Sequence, residues 1–452
     1  MRVHFIAIGG SVMHNLAIAL ANKGYLVSGS DDYIYEPSRT NLANNGLLPE
    51  RLGWYPERIT EDINAVVLGM HAKADNPELL KAQELGLQIY SYPAYIYEQA
   101  KDKTRVVIGG SHGKTTITSM IMHVLKSIGR DFDYVVGAKL EGFETMVSIT
   151  QDAPLMIIEG DEYLASAIDR RPKFLLYHAN IALISGIAWD HINVFPTYQE
   201  YLEQFEHFIE SIETKGTLVY NKEDKEVQKL VSDNHSNINK HGYKLPDFTI
   251  NKGISYLKTA KGDVPLQIFG KHNLSNLAGA FTVCEWLGVS RDEFYQAIST
   301  FKGASRRLEY IADHEGSVVY KDFAHSPSKV RASINAVKEQ YPENKLVAII
   351  ELHTFSSLNE AFLQEYKHTM DAADEAIVFI DQHSFRQKNI KPIEAATIAH
   401  AFGREDILYV NDALILESHI EKMNPKGKNL LFMSSGNFGG LNLVNLSDKF
   451  FN

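Results

Sequence analysis

The stretch Val106–Met120, VVIGGSHGKTTITSM, decides the fold because it joins an apolar strand to a helix through a glycine-rich turn. Successive backbone N–H groups of such a turn can face one anion, and the positive end of the following helix adds to their attraction. The usual phosphate loop has four residues between its first glycine and Gly-Lys-Thr, whereas three residues separate Gly109 from Gly113 here. The stretch therefore predicts a shortened phosphate loop that binds ATP.

Different residues of this loop are expected to contact different parts of a bound nucleotide. Lys114 can reach the outer phosphates, and the hydroxyl of Thr115 can bind a magnesium ion. A glycine-rich turn without a ligand is the alternative, but the Lys-Thr-Thr run between a strand and a helix favours a nucleotide site. The residues expected to contact ATP are Gly110, Ser111, His112, Gly113, Lys114, Thr115 and Thr116.

The composition is that of an ordinary soluble globular protein, and the length of 452 residues favours about three domains. The net charge of −11 argues against nucleic acid or an anionic membrane as the main partner. Cys284 is the one cysteine, so an intrachain disulfide is excluded. Because no signal peptide or membrane span is evident, we expect a cytoplasmic protein.

Apolar strand-like runs alternate with helix-period segments along most of the chain, a pattern that predicts an α/β fold with mostly parallel sheets. Polar stretches at Glu98–Arg105 and Phe301–Val318 suggest domain boundaries. We expect an N-terminal Rossmann-like domain at 1–104, a central P-loop ATPase-type sheet at 105–310 and a C-terminal Rossmann-like domain at 311–452.

Polar side chains follow two further strands. LMIIEGDEY (Leu155–Tyr163) ends with three carboxylates, and Glu159 is placed where Mg²⁺ needs hard oxygen ligands beside phosphates. AWDHINVF places His191 after another strand, as a metal ligand that Asp190 would orient. A solvated acidic turn and plain surface polarity are the respective alternatives.

Later segments supply groups suited to adenine and to a transferring phosphoryl group. Asn side chains can satisfy an adenine edge, and a guanidinium can stabilise phosphoryl charge. Helix capping and surface basicity are the structural alternatives. The residues assigned to ATP here are Asn273, Asn276, Arg306, Arg307 and Asp322.

The N-terminal segment FIAIGGSVMHNLA carries a second glycine turn. Gly9 and Gly10 are adjacent, so the turn departs from the G-x-G-x-x-G pattern of a dinucleotide site. It suits one nucleotide diphosphate better, and Ser30 and Asp31 follow at the distance of a ribose-binding acid. A nicotinamide dehydrogenase is a competing interpretation, but it leaves the Lys-Thr-Thr loop unexplained, and a non-enzymatic ATP-driven switch is another.

Taken together, these motifs resemble the Mur ligase family, whose members form amide bonds with ATP in bacterial peptidoglycan metabolism. The loop GGSHGKTT is similar to the family's Gly-Thr-x-Gly-Lys-Thr-Thr signature, with Ser111 in place of the first threonine. The motifs that follow the family's order are IGG, DNPEL, EGDEY, DH, KHNLSN, SRR, DFAHSP and SSGNFGG. The resemblance implies that the three domains bind a UDP-sugar, ATP and an amine in that order.

The resemblance also implies a chemistry. ATP would phosphorylate the lactyl carboxylate of UDP-N-acetylmuramate, and the amine of an amino acid or muropeptide would attack the resulting acyl phosphate. The implied catalytic residues are Lys114, Glu159, His191 and Arg307, and the implied Mg²⁺ ligands are Thr115, Glu159 and His191. The implied UDP-sugar contacts are Gly9, Gly10, Ser11, Ser30, Asp31, His71 and Asn76. The expected amine contacts are His325, His353, Ser356, Ser357 and Ser435; the last four follow probable strands, and polar loop residues without substrate contact are the alternative.

The identity of the amine rests on finer features. GGSVMHNLA, SDDYIYEPSRTNL and MSSGNFGG are similar to family members that attach the tripeptide L-alanyl-γ-D-glutamyl-meso-diaminopimelate. Addition of L-alanine is the alternative. The stretch ELHTFSSLN places His353 where the family often has an arginine suited to an incoming carboxylate, which is a departure from the pattern.

Overall fold

The computed structural model describes residues 1–189, 194–304, 307–388 and 390–451. Strands and helices alternate through these ranges, and most strand pairs are parallel, which confirms the predicted α/β fold class. Among the described residues we find no helix with the length and hydropathy of a membrane span.

The chain divides into two compact units. The first comprises Met1–Leu245 and Ser275–Ile298, and the second comprises Pro246–Leu274 and Ser299–Asn452. Each unit is described by itself below. The predicted domain boundaries near residues 104 and 310 stay a prediction.

The first unit begins with a parallel sheet in the strand order β2-β1-β3-β4, with helices between its strands. Helices that cover both faces require strands without exposed positions, and all four residues of β3 are buried. The elements are β1 (Arg2–Ile6), α1 (Ser11–Asn22), β2 (Leu26–Ser30), α2 (Ser38–Asn44), β3 (Ala65–Leu68), α3 (Pro77–Glu84), β4 (Ile89–Ser91) and α4 (Tyr92–Ala100).

The second sheet of this unit has the order β11-β10-β9-β5-β8-β6-β7, parallel except for β7. Strand β5 lies between β8 and β9, so the turns after these three strands meet at one edge of the sheet. The elements are β5 (Thr104–Gly109), α5 (Lys114–Ser127), β6 (Asp133–Val135), β7 (Val147–Ser148), β8 (Leu155–Glu159), β9 (Ile181–Ile184), α6 (Tyr198–Glu210), β10 (Thr217–Asn221), α7 (Lys225–Asp233) and β11 (Asn239–Tyr243).

A small antiparallel sheet opens the second unit, and two helices follow it along the chain. Its strands are β12 (Phe248–Asn251), β13 (Ile254–Thr259) and β14 (Gly262–Leu266). Helix α8 (Lys271–Trp286) begins in the second unit and continues into the first, where α9 (Arg291–Ile298) also lies.

The large sheet of the second unit has the order β15-β16-β20-β17-β18-β19, parallel except for the edge strand β15. Successive residues of β17 point to opposite faces: Val347 and Ile349 belong to one apolar core, and Ala348 and Ile350 to the other. The elements are β15 (Glu309–His314), β16 (Ser317–Asp322), α10 (Pro327–Gln340), β17 (Lys345–Glu351), α11 (Glu360–Leu363), β18 (Glu375–Phe379), α12 (Gln382–Lys388), α13 (Ala395–Phe402), β19 (Leu408–Val410), α14 (Ala413–Glu421), β20 (Lys428–Met433) and α15 (Leu443–Phe451).

Candidate active site

The phosphate loop between β5 and α5 is packed too tightly for any side chain at two of its glycines. Gly110 has φ +124° and Gly113 has φ +80°, a region that L side chains rarely adopt. A Cβ atom at Gly110 would collide with Ser185 Oγ, and one at Gly113 would collide with the side-chain amide of Asn276. Asn276, which the sequence assigns to ATP, therefore lies directly against this loop.

Lys114 opens helix α5 and turns its side chain back onto the loop. Its Nζ donates to the backbone oxygen of Gly110 at 2.7 Å and to Glu162 Oε2 at 2.7 Å. Burial alone would lower the pKa of Lys114, but the neighbouring carboxylates of Glu162 and Asp161 outweigh it and raise that pKa above its ordinary value. The lysine is therefore a fixed positive charge at the mouth of the loop.

Thr115 and Glu159 form the pair that fits a divalent cation. Thr115 Oγ1 donates to Glu159 Oε1 at 2.6 Å, and the backbone N–H of Gly137 donates to Glu159 Oε2 at 2.7 Å. A hydroxyl and a carboxylate beside a phosphate loop are the kind of protein ligands that Mg²⁺ takes together with nucleotide phosphates. The described residues hold no cluster of three or more His, Cys, Asp or Glu side chains for a metal, and His191, the third predicted ligand, lies outside them.

Three side chains that the sequence did not assign complete this site: Glu162 and Tyr201 are buried, and Ser185 is half-buried. Tyr201 on α6 donates its hydroxyl to Glu162 Oε1 at 3.0 Å, and the same hydroxyl lies 2.7 Å from Ser111 Oγ. Ser185, after β9, donates to the backbone oxygen of His112. Because these contacts join residues far apart in sequence, no local sequence pattern predicts them.

The N-terminal glycine turn is held by the acid that follows β2. The backbone N–H of Gly9 donates to Asp31 Oδ2 at 2.7 Å, and burial raises the pKa of Asp31. Ser30 Oγ accepts from Arg58 at 3.1 Å. The structure thus brings Gly9, Ser30 and Asp31 to one end of the sheet, where Gly10 and Ser11 begin helix α1.

Two other residues assigned to the UDP-sugar lie after β3. The Asn76 side-chain oxygen caps helix α3 by accepting from the backbone N–H groups of Glu78 and Leu79. His71 is exposed to solvent. Contact of either residue with a sugar nucleotide stays a prediction.

In the second unit, the turn after β16 gathers several of the assigned residues. Asp322 is buried and accepts from Ser333 Oγ and from the backbone N–H of Ala324. Burial lowers the pKa of His272, while the nearby charges of Asp322 and Arg307 act on it in opposite directions. The Arg307 guanidinium lies 5.2 Å from the ring centre of Phe323, in the same turn.

The remaining assigned residues near this turn have local partners. His325 Nδ1 lies 2.8 Å from the backbone oxygen of Phe323. The Asn273 side-chain amide donates to the backbone oxygen of Phe269 at 2.9 Å. Contact of His325 with the amine and of Asn273 with ATP stays a prediction.

A second polar cluster lies at the ends of β17 and β20. Glu351 is buried and accepts from Ser434 Oγ and from the backbone N–H of Phe438. His353 Nε2 lies 3.3 Å from Ser435 Oγ, and its Nδ1 is buried and has no hydrogen-bond partner among the described residues. Burial lowers the pKa of His353, with Glu351 opposing and Lys388 reinforcing the shift.

The two serines assigned beside this cluster differ. Ser357 is buried and its hydroxyl is engaged with Thr354 in a local turn. Ser356 is exposed. His191 and Arg306 lie outside the described residues, so their assignments to the metal and to ATP stay predictions.

Comparison with known families accounts for nearly the whole chain. The model of the Mur ligase family catalytic domain matches residues 2–104, that of the Mur ligase middle domain matches 108–284, and that of the Mur ligase glutamate ligase domain matches 306–436. The UDP-N-acetylmuramate–L-alanine ligase of Caldicellulosiruptor bescii is 32% identical in an alignment of 400 residues that covers 85% of this chain and 85% of the relative. The chain belongs to the Mur ligase family.

Two solved structures of Mur ligases show the same fold along the whole chain. The UDP-N-acetylmuramate–alanine ligase of Thermotoga maritima has a TM-score of 0.69 at 21% identity and covers 100% of this chain and 98% of its own. The murein peptide ligase of Psychrobacter arcticus has a TM-score of 0.64 at 22% identity, with coverage of 100% and 99%. At these identities the likeness concerns the fold alone.

Membership of the Mur ligase family makes the chain an ATP-dependent enzyme that forms amide bonds, as the sequence predicts. Neither a nicotinamide dehydrogenase nor a non-enzymatic ATP switch fits this family. The family does not by itself assign roles to Lys114, Glu159 or His353, and these rest on the geometry above.

Proposed function

We propose that this Mur ligase joins an amine to the lactyl carboxylate of UDP-N-acetylmuramate at the expense of ATP. The observation that carries the proposal is the pairing of Lys114 with a shortened phosphate loop and of Thr115 with Glu159 at the ends of β5 and β8. The name of the Caldicellulosiruptor bescii relative supports the sugar nucleotide as substrate.

The reaction proceeds in two steps. A carboxylate oxygen attacks the γ-phosphorus of ATP, and ADP leaves, which gives an acyl phosphate. The amine nitrogen then attacks the carbonyl carbon, inorganic phosphate leaves, and the nitrogen gives up a proton. Both steps develop negative charge on phosphoryl oxygens, which a fixed cation stabilises best.

The chain's own residues supply that stabilisation. The Lys114 ammonium has three N–H groups, of which the described residues engage two, so the third is available to a phosphate oxygen. Thr115 and Glu159 would hold Mg²⁺, which neutralises phosphate charge when bound. Arg307 stays a predicted additional clamp on phosphoryl charge, and Asn276 lies against the loop where a nucleotide would bind.

The three predicted domains take one substrate each in this proposal. The turn at Gly9 and Gly10, with Asp31 held against it, would bind the diphosphate and ribose of the UDP-sugar. Residues 105–310 would bind ATP, and residues 311–452 would bind the amine.

L-Alanine is the first candidate for that amine. The Caldicellulosiruptor bescii relative is named for L-alanine addition, and its identity to this chain is higher than that of either solved structure described above. This evidence favours the biosynthetic reaction over the tripeptide reaction, which the motifs alone favoured.

The tripeptide is the second candidate, and one observation of this chain favours it. At the strand ends where the amine is expected, the sequence has His353 in place of a cation, and burial lowers the pKa of this imidazole. A neutral imidazole whose Nδ1 has no partner among the residues that the structure describes suits a hydrogen-bonding group better than the single carboxylate of L-alanine.

Phosphate release in mixtures of ATP and UDP-N-acetylmuramate tests both the proposed reaction and the identity of the amine. We expect release only when an amine is added, and mixtures with L-alanine and with the tripeptide are compared at equal concentrations. Higher kcat/KM for L-alanine would support the first candidate, and higher kcat/KM for the tripeptide would replace it with the second. Phosphate release that neither amine stimulates would contradict the proposed reaction.

A further inference from the structure

Glu162 has a position that the proposed reaction does not yet explain. It follows β8 by three residues, and its side chain is 1% exposed. One carboxylate oxygen accepts from Lys114 Nζ at 2.7 Å, and the other accepts from the Tyr201 hydroxyl at 3.0 Å. The two oxygens thus connect the phosphate loop to helix α6.

Tyr201 carries this connection back to the loop. Because its single hydroxyl hydrogen goes to Glu162, its oxygen accepts from Ser111 Oγ at 2.7 Å. Ser111 Oγ in turn accepts from the backbone N–H of Ala188 at 2.9 Å. The Tyr201 ring is fully buried and meets Phe205 edge to face, so the hydroxyl has a fixed position.

We propose that Glu162 and Tyr201 are positioning residues that hold the Lys114 ammonium where it meets the phosphates of ATP. The proposal rests on ATP binding at this loop. A lysine side chain has four rotatable bonds and loses rotamer entropy when it is fixed. Tethering it before the nucleotide arrives transfers that cost from the binding step to folding.

The alternative role for Glu162 is a metal ligand, because strand-end carboxylates beside a phosphate loop commonly bind Mg²⁺. The geometry points instead to Lys114, because Thr115 contacts Glu159 and not Glu162. Glu162 acts through the lysine, so its contribution to nucleotide binding should disappear when the lysine is absent.

A double-mutant cycle measures this dependence. Calorimetric titration of Mg·ATP into the full chain gives the dissociation constants of the wild type, Glu162→Ala, Lys114→Ala and the double variant. We expect binding to weaken about 10-fold for Glu162→Ala and about 100-fold for Lys114→Ala. The double variant should match Lys114→Ala within about threefold, since coupled residues are not additive.

A milder cycle uses Tyr201→Phe, which keeps the buried ring and removes only the hydroxyl. We expect binding to weaken about threefold in the wild-type background and to stay unchanged in the Lys114→Ala background. Tyr198→Phe, on the same helix, is the matched control and should bind Mg·ATP like the wild type. This cycle keeps the test valid if Glu162→Ala lowers the melting temperature too far for titration.

The possible outcomes separate cleanly. Losses that multiply, so that the double variant binds far more weakly than Lys114→Ala, would overturn the positioning role. Such a result would mean that Glu162 contacts the nucleotide or its metal directly. A wild-type protein that binds no Mg·ATP would instead contradict the nucleotide site itself.

Discussion

The phosphate loop of the first unit and the cluster at the ends of β17 and β20 in the second unit are both polar strand ends, but they differ in completeness. At the loop, Lys114 and Glu159 already have their partners. At the second cluster, His353 Nδ1 is buried and the part of the chain that the structure describes offers it no hydrogen-bond partner, and the neighbouring Phe355 is 70% exposed.

This difference matches the demands of the two proposed functions, phosphoryl transfer and amine binding. A site that stabilises phosphoryl transfer benefits from groups fixed in advance, because reorganisation then costs nothing during the reaction. A site that selects one amine can contain a polar atom without a hydrogen-bond partner, because only the correct substrate then supplies that partner. We therefore expect catalytic power in the first unit and amine selection in the second.

Removal of the loop cation should produce the largest effect. We expect Lys114→Ala to lower phosphate release by about 10³-fold or more, because one preorganised donor is lost from the transferring group. Lys126→Ala, in the last turn of the same helix, is the matched control and should keep full activity. Circular dichroism should show both variants folded, and near-normal release by Lys114→Ala would remove this loop from the reaction.

Loss of the candidate Mg²⁺ ligand should follow in size. We expect Glu159→Gln to lower activity about 100-fold at fixed Mg²⁺ and to raise the Mg²⁺ concentration needed for half-maximal rate, because charge neutralisation by the metal is worth several kcal/mol. A chelator should abolish wild-type activity, and excess Mg²⁺ should restore it. An unchanged Mg²⁺ requirement in Glu159→Gln would show that another group holds the ion.

The sequence predicts the motif residues of the phosphate loop better than the long-range contacts around them, because the motif is a local sequence pattern. Lys114, Thr115 and their glycines lie within one motif, and Glu159 ends an apolar strand, so parallel-strand geometry alone brings them together. Tyr201 and Ser111 are 90 positions apart, and their contact depends on how α6 packs against the sheet. No periodicity or spacing encodes that contact.

The fold shows the same limit at an edge strand. The sequence treats Phe301–Val318 as a polar bridge, yet β15 lies within it. This strand, EYIADH, has no fully buried residue and its pairing with β16 is irregular near Tyr310 and Ala312. An exposed edge strand buries too little apolar surface to leave an alternating pattern.

Substitution of His353 should have a moderate effect that is selective for the amine. We expect His353→Gln to lower kcat/KM for the preferred amine about 10-fold and to leave KM for ATP unchanged, because one hydrogen-bonding group of the cluster at the ends of β17 and β20 changes shape. His368→Gln, an exposed histidine of the same unit, is the control. An equal fall in kcat/KM for ATP and for the amine would indicate a general structural defect. It would contradict the distinction between the two regions.

The same histidine predicts a pH dependence. Because burial lowers the pKa of His353 below the ordinary value of about 6.5, the imidazole stays neutral at pH 7 and gains a proton only as the pH falls through its lowered pKa. We expect kcat/KM for the amine to fall on that acidic side in the wild type. The pH profile of His353→Gln should lack this fall, whereas an identical profile would exclude the imidazole as its origin.

The smallest expected effect separates two adjacent serines. Ser435 Oγ lies 3.3 Å from His353 Nε2, whereas Ser434 Oγ donates to the buried Glu351. We expect Ser435→Ala to lower kcat/KM for the amine only about three- to tenfold, the value of one neutral hydrogen bond, without change in melting temperature. Ser434→Ala should instead reduce the free energy of unfolding by about 1–3 kcal/mol, because a buried carboxylate loses a donor. The two variants can be compared by thermal melting and by amine kinetics. If Ser435→Ala lowered stability as much as Ser434→Ala, Ser435 would belong to the structural support of the cluster, and the surface that meets the amine would shrink to His353.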